Sequence, residues 1–321
     1  MSSAVARASE PGAGRRALEL AALGVAAVPG IDPVSVVATR PTRDGVDTAV
    51  VRDRSSRDWV VAAPRMGAAG AGLEAEIAIL RLLAGRMPFA TPDPRGLAVM
   101  RGGGRALVYP ALRGTPVSLS AVSADRVLAE AVGRAIGAIH SLDIEALTSV
   151  GVPVYDSESL RRRCLATLDR GAEPGIVPAG LLSRWEALLE DVSMWRFHPC
   201  SVHGELVSDR VLVDGSGVSG VLDWAGARVS DPAEDLAWIA VGADSNGLDQ
   251  VLTAYRAVSP PTDSHVVDRA VLHGEMALVS WLMHGLRAGD ERIVADATVM
   301  LEELATWHES QAPKVTPSLP T

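Results

Sequence analysis

The chain has 321 residues, 48% of them hydrophobic, and a formal net charge of −9. That is enough apolar material for two subdomains around a shared cleft, and acid spread along the whole sequence weighs against general affinity for nucleic acid or an anionic membrane, while suiting a cationic small molecule. Two cysteines, Cys164 and Cys200, exclude a disulfide framework and point to a reducing, cytoplasmic setting.

Residues 1–30 contain an apolar patch, but Glu19 and Pro29 interrupt or bound it. We therefore expect a disordered start and a first helix ending near Val28, not a signal peptide or a membrane span. "PVSVVATR", "VDTAVVRD" and "DWVVAAP" alternate or are β-rich and predict three strands. In "GAAGAGLEAEIAILRLLAG" the residues Leu73, Ile77, Leu80 and Leu83 recur at helical spacing, and Gly85 closes the helix. "RGLAVMR" and "RALVYP" predict two more strands around the glycines at 102–104. Residues 31–111 thus read as a small lobe of five strands and one helix.

From Ser120 the period becomes helical. "SADRVLAEAVGRAIGAIHSL" starts at a candidate N-cap, Ser123; "SESLRRRCLATLDRG" and "PAGLLSRWEALLEDVSMW" follow as two further helices. Four more helical segments begin with "DPAEDLAWIAVGA" and run to "DERIVADATVMLEELATWHES". Residues 112–309 read as a helical lobe with a catalytic hairpin at 200–224 inserted, and 310–321, rich in Pro, Ser and Thr, as a disordered tail. The fold class expected is α+β with two lobes.

That hairpin, "HGELVSDRVLVDGSGVSGVLDW", holds two acids eighteen residues apart, Glu205 and Asp223, with Arg210 between them. Phosphoryl transfer needs such a pair. One carboxylate orients or deprotonates the attacking hydroxyl, and the other holds the magnesium ion that bridges the phosphates. Glu205 is the base candidate and Asp223 the metal candidate, since hard oxygen ligands suit magnesium. His203 is expected to brace the loop, and Asp235, in "DPAEDLAW", to accept hydrogen bonds from it.

"HGELVSDRVLVD" and "GVLDWAGARVSDPAEDLAW", with the two-lobe outline, resemble the aminoglycoside and macrolide phosphotransferases, which share the protein-kinase-like fold. "WVVAAPR" followed by a helix bearing glutamates, and "RWEALLEDVSMWRF" before the hairpin, are similar to the macrolide 2'-phosphotransferase branch in particular. The resemblance runs from about residue 20 to 308. It implies an enzyme that moves the γ-phosphate of ATP or GTP, with magnesium, to a hydroxyl of an antibiotic-like or related metabolite. It also implies that Arg65, Glu76, Tyr109 and Ala111 bind the nucleotide, and that Trp224 packs beneath the hairpin.

Three positions depart from the family pattern. Glu205 stands where the family has Asp; its intrinsic pKa is similar, about 4.3 against about 3.9, yet the carboxylate sits one methylene further out, and about 1 Å of misplacement at a reacting centre costs about a hundredfold. Arg210 replaces an Asn that ligates metal. A guanidinium has no acceptor and cannot do so; it either contacts phosphate in place of a cation or pairs with Asp209, Asp223 or Glu205. Ala62 falls where the third strand carries a basic residue. The sole lysine is Lys314, so Arg65 is the candidate substitute, pairing with Glu74 or Glu76, or else, with Pro64 before it, a solvated arginine at the strand end. The candidate phosphate loop "RPTRDGVDT" has one glycine, Gly45, and is a poor cradle. These departures leave an alternative standing: a catalytically inactive relative that binds a small molecule or a protein. His140 is expected to be a packed, hydrogen-bonded core histidine, while His273, His284, Trp281, Glu275 and Asp290 are candidates for lining a ligand pocket or for packing and surface roles.

Overall fold

The computed structural model of the protein describes residues 11–41, 45–65, 67–101 and 103–311. The centre of the phosphate-loop candidate, residues 42–44, one of the three turn glycines, and the expected disordered start and tail lie outside them. In chain order the elements are α1 (Pro11–Ala27), β1 (Pro33–Pro41), β2 (Val46–Asp53), β3 (Asp58–Pro64), α2 (Gly67–Leu83), β4 (Gly96–Val99), β5 (Arg105–Pro110), β6 (Thr115–Pro116), α3 (Leu119–Ala124), α4 (Arg126–His140) and α5 (Ile144–Ser149). They continue with α6 (Ser157–Ala172), α7 (Ala179–Glu190), β7 (Cys200–Val202), β8 (Val211–Asp214), β9 (Gly217–Val221), β10 (Arg228–Ser230), α8 (Ala233–Gly242), α9 (Ser245–Arg256), α10 (Val266–Ala288) and α11 (Glu291–Gln311). No helix among the described residues is long and apolar enough to cross a membrane.

The chain divides into two compact units, one made of residues 1–154, 200–229 and 243–261, the other of 155–199, 230–242 and 262–321. The first contains a five-stranded antiparallel sheet in the order β1-β2-β3-β5-β4. Alternation of side chains sends Val51, Val61, Ala63, Ala106 and Val108 to one face, where they cluster with Leu20 and Ala21 of α1. The other face carries Ala62, which pairs with Leu107, and Tyr109, which pairs with Val60. Helix α2 lies on that face, burying Leu73, Ile77 and Leu80, which the helical spacing of these residues anticipates.

The unit also holds α3, α4, α5, α9 and the strands β6–β9. The expected cap at Ser123 is corrected: Asp125 caps α4, accepting from Val127 N at 2.9 Å, and Ser123 belongs to the short α3. Its hydroxyl instead accepts from Asp244 N at 3.1 Å, beside the start of α9. Helices α4 and α9 approach so closely that a Cβ at Gly133 would lie 2.2 Å from Val251 O. His140 is buried there with Nδ1 2.8 Å from the Tyr255 hydroxyl, the packed role expected of it.

The second unit is helical. Trp185, Leu189, Leu272, Val279 and Leu282 form its core. The segment read as one helix through Trp195 ends at Glu190, because Asp191 caps a new 3-10 turn, Val192–Trp195, by accepting from Ser193 N at 2.9 Å. At the heart of the unit the fully buried Arg269 donates to Asp231 at 2.6 and 3.0 Å, to Asp263 twice at 2.8 Å, and to Met194 O at 2.6 Å. The residues weighed there for pocket, packing or surface roles differ in exposure, with Glu275 buried and Asp290 exposed. Glu275 is buried and accepts from Trp185 Nε1 at 2.7 Å, Asp290 accepts from Arg292 N and Ile293 N at the start of α11, and the rings of Trp281 and His284 stack at 5.6 Å. His273 sets its ring edge against Trp195.

Candidate active site

The expected hairpin is present. Strands β8 and β9 pair antiparallel from Val211↔Val221 to Asp214↔Gly217, with β6 on the far side of β8. Leu222 N donates to Arg210 O at 2.9 Å, which extends the ladder past the strands. The ladder therefore holds the loop after Glu205 beside the residue after Leu222, and brings Arg210 to Asp223.

Arg210 Nη1 donates to Glu205 Oε2 at 2.8 Å and to the Glu205 carbonyl at 2.5 Å, while Nε donates to Asp223 Oδ2 at 3.2 Å. One guanidinium thus ties both candidate acids. Of the partners weighed for Arg210, Glu205 and Asp223 are the ones it takes. Its side chain is 21% exposed, against 45% for Glu205 and 56% for Asp223, so both carboxylates keep open oxygens. Asp223 sits in the left-handed region at φ 60°, a conformation that Asp tolerates better than most residues and that recurs at functional sites.

Beneath the acids lie two buried rings. His203 is buried and donates Nε2–H to Leu222 O at 2.8 Å, leaving Nδ1 to accept Glu205 N at 3.4 Å. Its ring lies 4.8 Å from that of Trp224, whose Nε1 donates to Val221 O at 3.0 Å. Trp224 is 1% exposed, so a large apolar side chain anchors the residue next to Asp223. Two braces carried no sequence signal. Arg228 donates to Gly204 O at 2.7 Å and to Gly226 O at 2.9 Å, stapling the loop before Glu205 to the turn after Asp223.

The nucleotide candidates divide. Glu76, from α2, accepts Trp224 N at 3.0 Å and so joins the site. Burial and the neighbouring Asp223 carboxylate push its carboxyl up to about 7, with the Trp224 N–H opposing them. Tyr109 belongs to the same neighbourhood: burial raises its hydroxyl pKa, and the charges of Glu76 and Asp223 add to that. Ala111 follows β5, its N–H donated to Asp58 O at 2.8 Å. The pairing expected of Arg65 is corrected. Arg65 donates to Asp47 at 2.6 Å with 58% of its side chain exposed, and Glu74 takes Arg105 instead. Pro64 closes β3 with Asp47 opposite Ala63, so the chain turns Arg65 toward the β2 end. Ala62 is buried on the α2 face and brings Glu76 no cation. Asp235 is buried in the first turn of α8 and belongs to the second unit.

Among the described residues no group of three or more His, Cys, Asp or Glu side chains is arranged to hold a metal ion. The donor set still suits magnesium, which takes one or two carboxylates and completes its shell with phosphate oxygens and water. Asp223 fits that need. A second ion ligated from position 210 does not fit, because Arg210 offers donors only.

The curated relative YcbJ of Bacillus subtilis, an uncharacterized protein, is 25% identical over 206 residues, which are 60% of this chain and 66% of YcbJ. Viomycin phosphotransferase of Streptomyces vinaceus is 38% identical over 100 residues, 30% of this chain and 33% of that one. The chain therefore spans just under two thirds of the first relative's length and one third of the second's. The apoenzyme crystal structure of macrolide 2'-phosphotransferase MphH from Brachybacterium faecium superposes with a TM-score of 0.72 at 26% identity, covering 85% of this chain and 94% of that one. The expected α+β, protein-kinase-like fold is thus the one observed. Residues 39–265 match the family described as Phosphotransferase enzyme family, APH, and the chain belongs to that family.

Proposed function

We propose that the protein is a small-molecule kinase of the cytoplasm, transferring the γ-phosphate of ATP or GTP to a hydroxyl of a macrolide, an aminoglycoside or a related metabolite. The observation that carries this reading is the Arg210 bridge, 2.8 Å to Glu205 and 3.2 Å to Asp223. It supports a common, phosphate-sized space for the two acids. Glu205 orients the acceptor hydroxyl and takes its proton as the oxygen bonds to the γ-phosphorus; the bond from that phosphorus to the β-phosphate oxygen breaks, and the nucleoside diphosphate leaves. Arg210 supplies a fixed positive charge for phosphate oxygens. His203, Trp224 and Arg228 hold both loops in place. Asp223 would hold one magnesium ion, which when bound supplies charge against the phosphates.

A second reading is an inactive phosphotransferase relative that binds a small molecule or a protein. Ala62 favours it, because the third strand then offers the nucleotide no cation and Glu76 stays beside Asp223 with its carboxyl raised. The test is product detection by mass spectrometry with the full chain, magnesium, ATP or GTP, and a macrolide, an aminoglycoside or viomycin as acceptor. Phosphorylated acceptor supports the kinase. Nucleotide binding with no product from any acceptor supports the second reading.

A further inference from the structure

We propose that Gly226 is a positioning residue that makes glutamate workable at position 205, so that the longer acid is seated by a matching change elsewhere in the chain. The inference rests on the phosphotransfer reading for its kinetic consequence, and on geometry alone for the seat itself. A Cβ at Gly226 would fall 2.7 Å from Glu205 Cγ, 2.9 Å from Cδ and 3.3 Å from Cβ. Cγ is the methylene by which glutamate exceeds aspartate. It occupies the space that the missing side chain leaves.

The backbone offers no other relief. Gly204, at φ 80°, lies so near that a Cβ there would meet Gly226 O at 2.4 Å, and Arg228 clamps the carbonyls of both glycines at 2.7 and 2.9 Å. With the two loops stapled, a methyl at 226 displaces the Glu205 side chain and not the turn. Gly226 is not among the glycines with positive φ, so alanine is permitted there by the backbone. The displaced carboxylate loses its 2.8 Å contact with Arg210. It moves by about the 1 Å that costs about a hundredfold at a reacting centre.

The experiment uses the full chain carrying Gly226→Ala, with Gly180→Ala on α7, where a Cβ meets nothing within 4 Å, as control. A crystal structure of Gly226→Ala is expected to show Glu205 Oε2 beyond hydrogen-bond reach of Arg210 Nη1 while Asp223 and Trp224 stay in place. Turnover on an acceptor found with the wild type is expected to fall about a hundredfold in kcat with the KM for nucleotide unchanged, while the urea midpoint stays within reach of the wild type's, which excludes loss of folded protein as the cause. The control keeps both constants. An intact Glu205–Arg210 contact, or an unchanged kcat, overturns the proposal. If the wild type phosphorylates no acceptor, the phosphotransfer reading fails by itself, and the crystal structure still decides the seat.

Discussion

Glu76→Gln should stabilise the protein above neutral pH and leave it unchanged in mild acid. The Glu76 carboxyl is raised from 4.5 to about 7 by burial and by Asp223. Between those values the folded protein keeps a proton that the unfolded chain has released, so stability falls as pH rises through the window and levels off above it. Raising the carboxyl from 4.5 to about 7 corresponds to about 3 kcal/mol, at about 1.4 kcal/mol for each tenfold change in proton affinity. Glutamine carries no charge, and its side-chain oxygen still accepts the Trp224 N–H now bonded at 3.0 Å. Urea denaturation at several pH values between 5 and 8 is the assay. With an m-value of about 3 kcal/mol/M, the variant's midpoint should exceed that of the wild type by about 1 M at pH 8, with the gap closing toward pH 5. A gap independent of pH, or a variant less stable at pH 8, would refute the raised carboxyl of a Glu76 buried beside Asp223.

Arg269→Met should cost about 3–5 kcal/mol, because it leaves Asp231 buried without its bidentate partner; urea unfolding of the helical unit reads the loss. Arg210→Lys keeps the charge but not the fork that reaches Glu205 and Asp223 together. Loss of one charge-assisted hydrogen bond is worth about 1.5–3 kcal/mol, so turnover should fall about tenfold to a hundredfold, measured as steady-state kcat.

Much of the fold is legible from side-chain period. Alternating burial marks β2 and a continuous apolar run marks β3, which is covered on both faces, while Leu73, Ile77 and Leu80 mark α2 by the helical period that burial of one face imposes. The hairpin is legible for a further reason: Gly215 turns it at φ 61°, and Glu205, Arg210 and Asp223 flank its strands. Competing caps obscure the helix ends, since Ser123 and Asp125 are both good N-caps and the choice between them depends on Asp244, far along the chain. The choice between an inward and a strand-end Arg65 is hidden for a related reason. Its direction is set by Asp47 on the neighbouring strand, which no local pattern reveals. The roles of Gly226 and Arg228 are illegible because each acts across two loops, one through an absent side chain and the other through carbonyls.

Isothermal titration calorimetry of magnesium-ATP and magnesium-GTP against the wild type and Asp223→Ala tests most directly whether Glu205 and Asp223 serve one nucleoside triphosphate. The wild type is expected to bind at least one of the two only with magnesium present, and Asp223→Ala to abolish the binding. Nucleotide binding that needs no magnesium and survives Asp223→Ala would contradict that expectation.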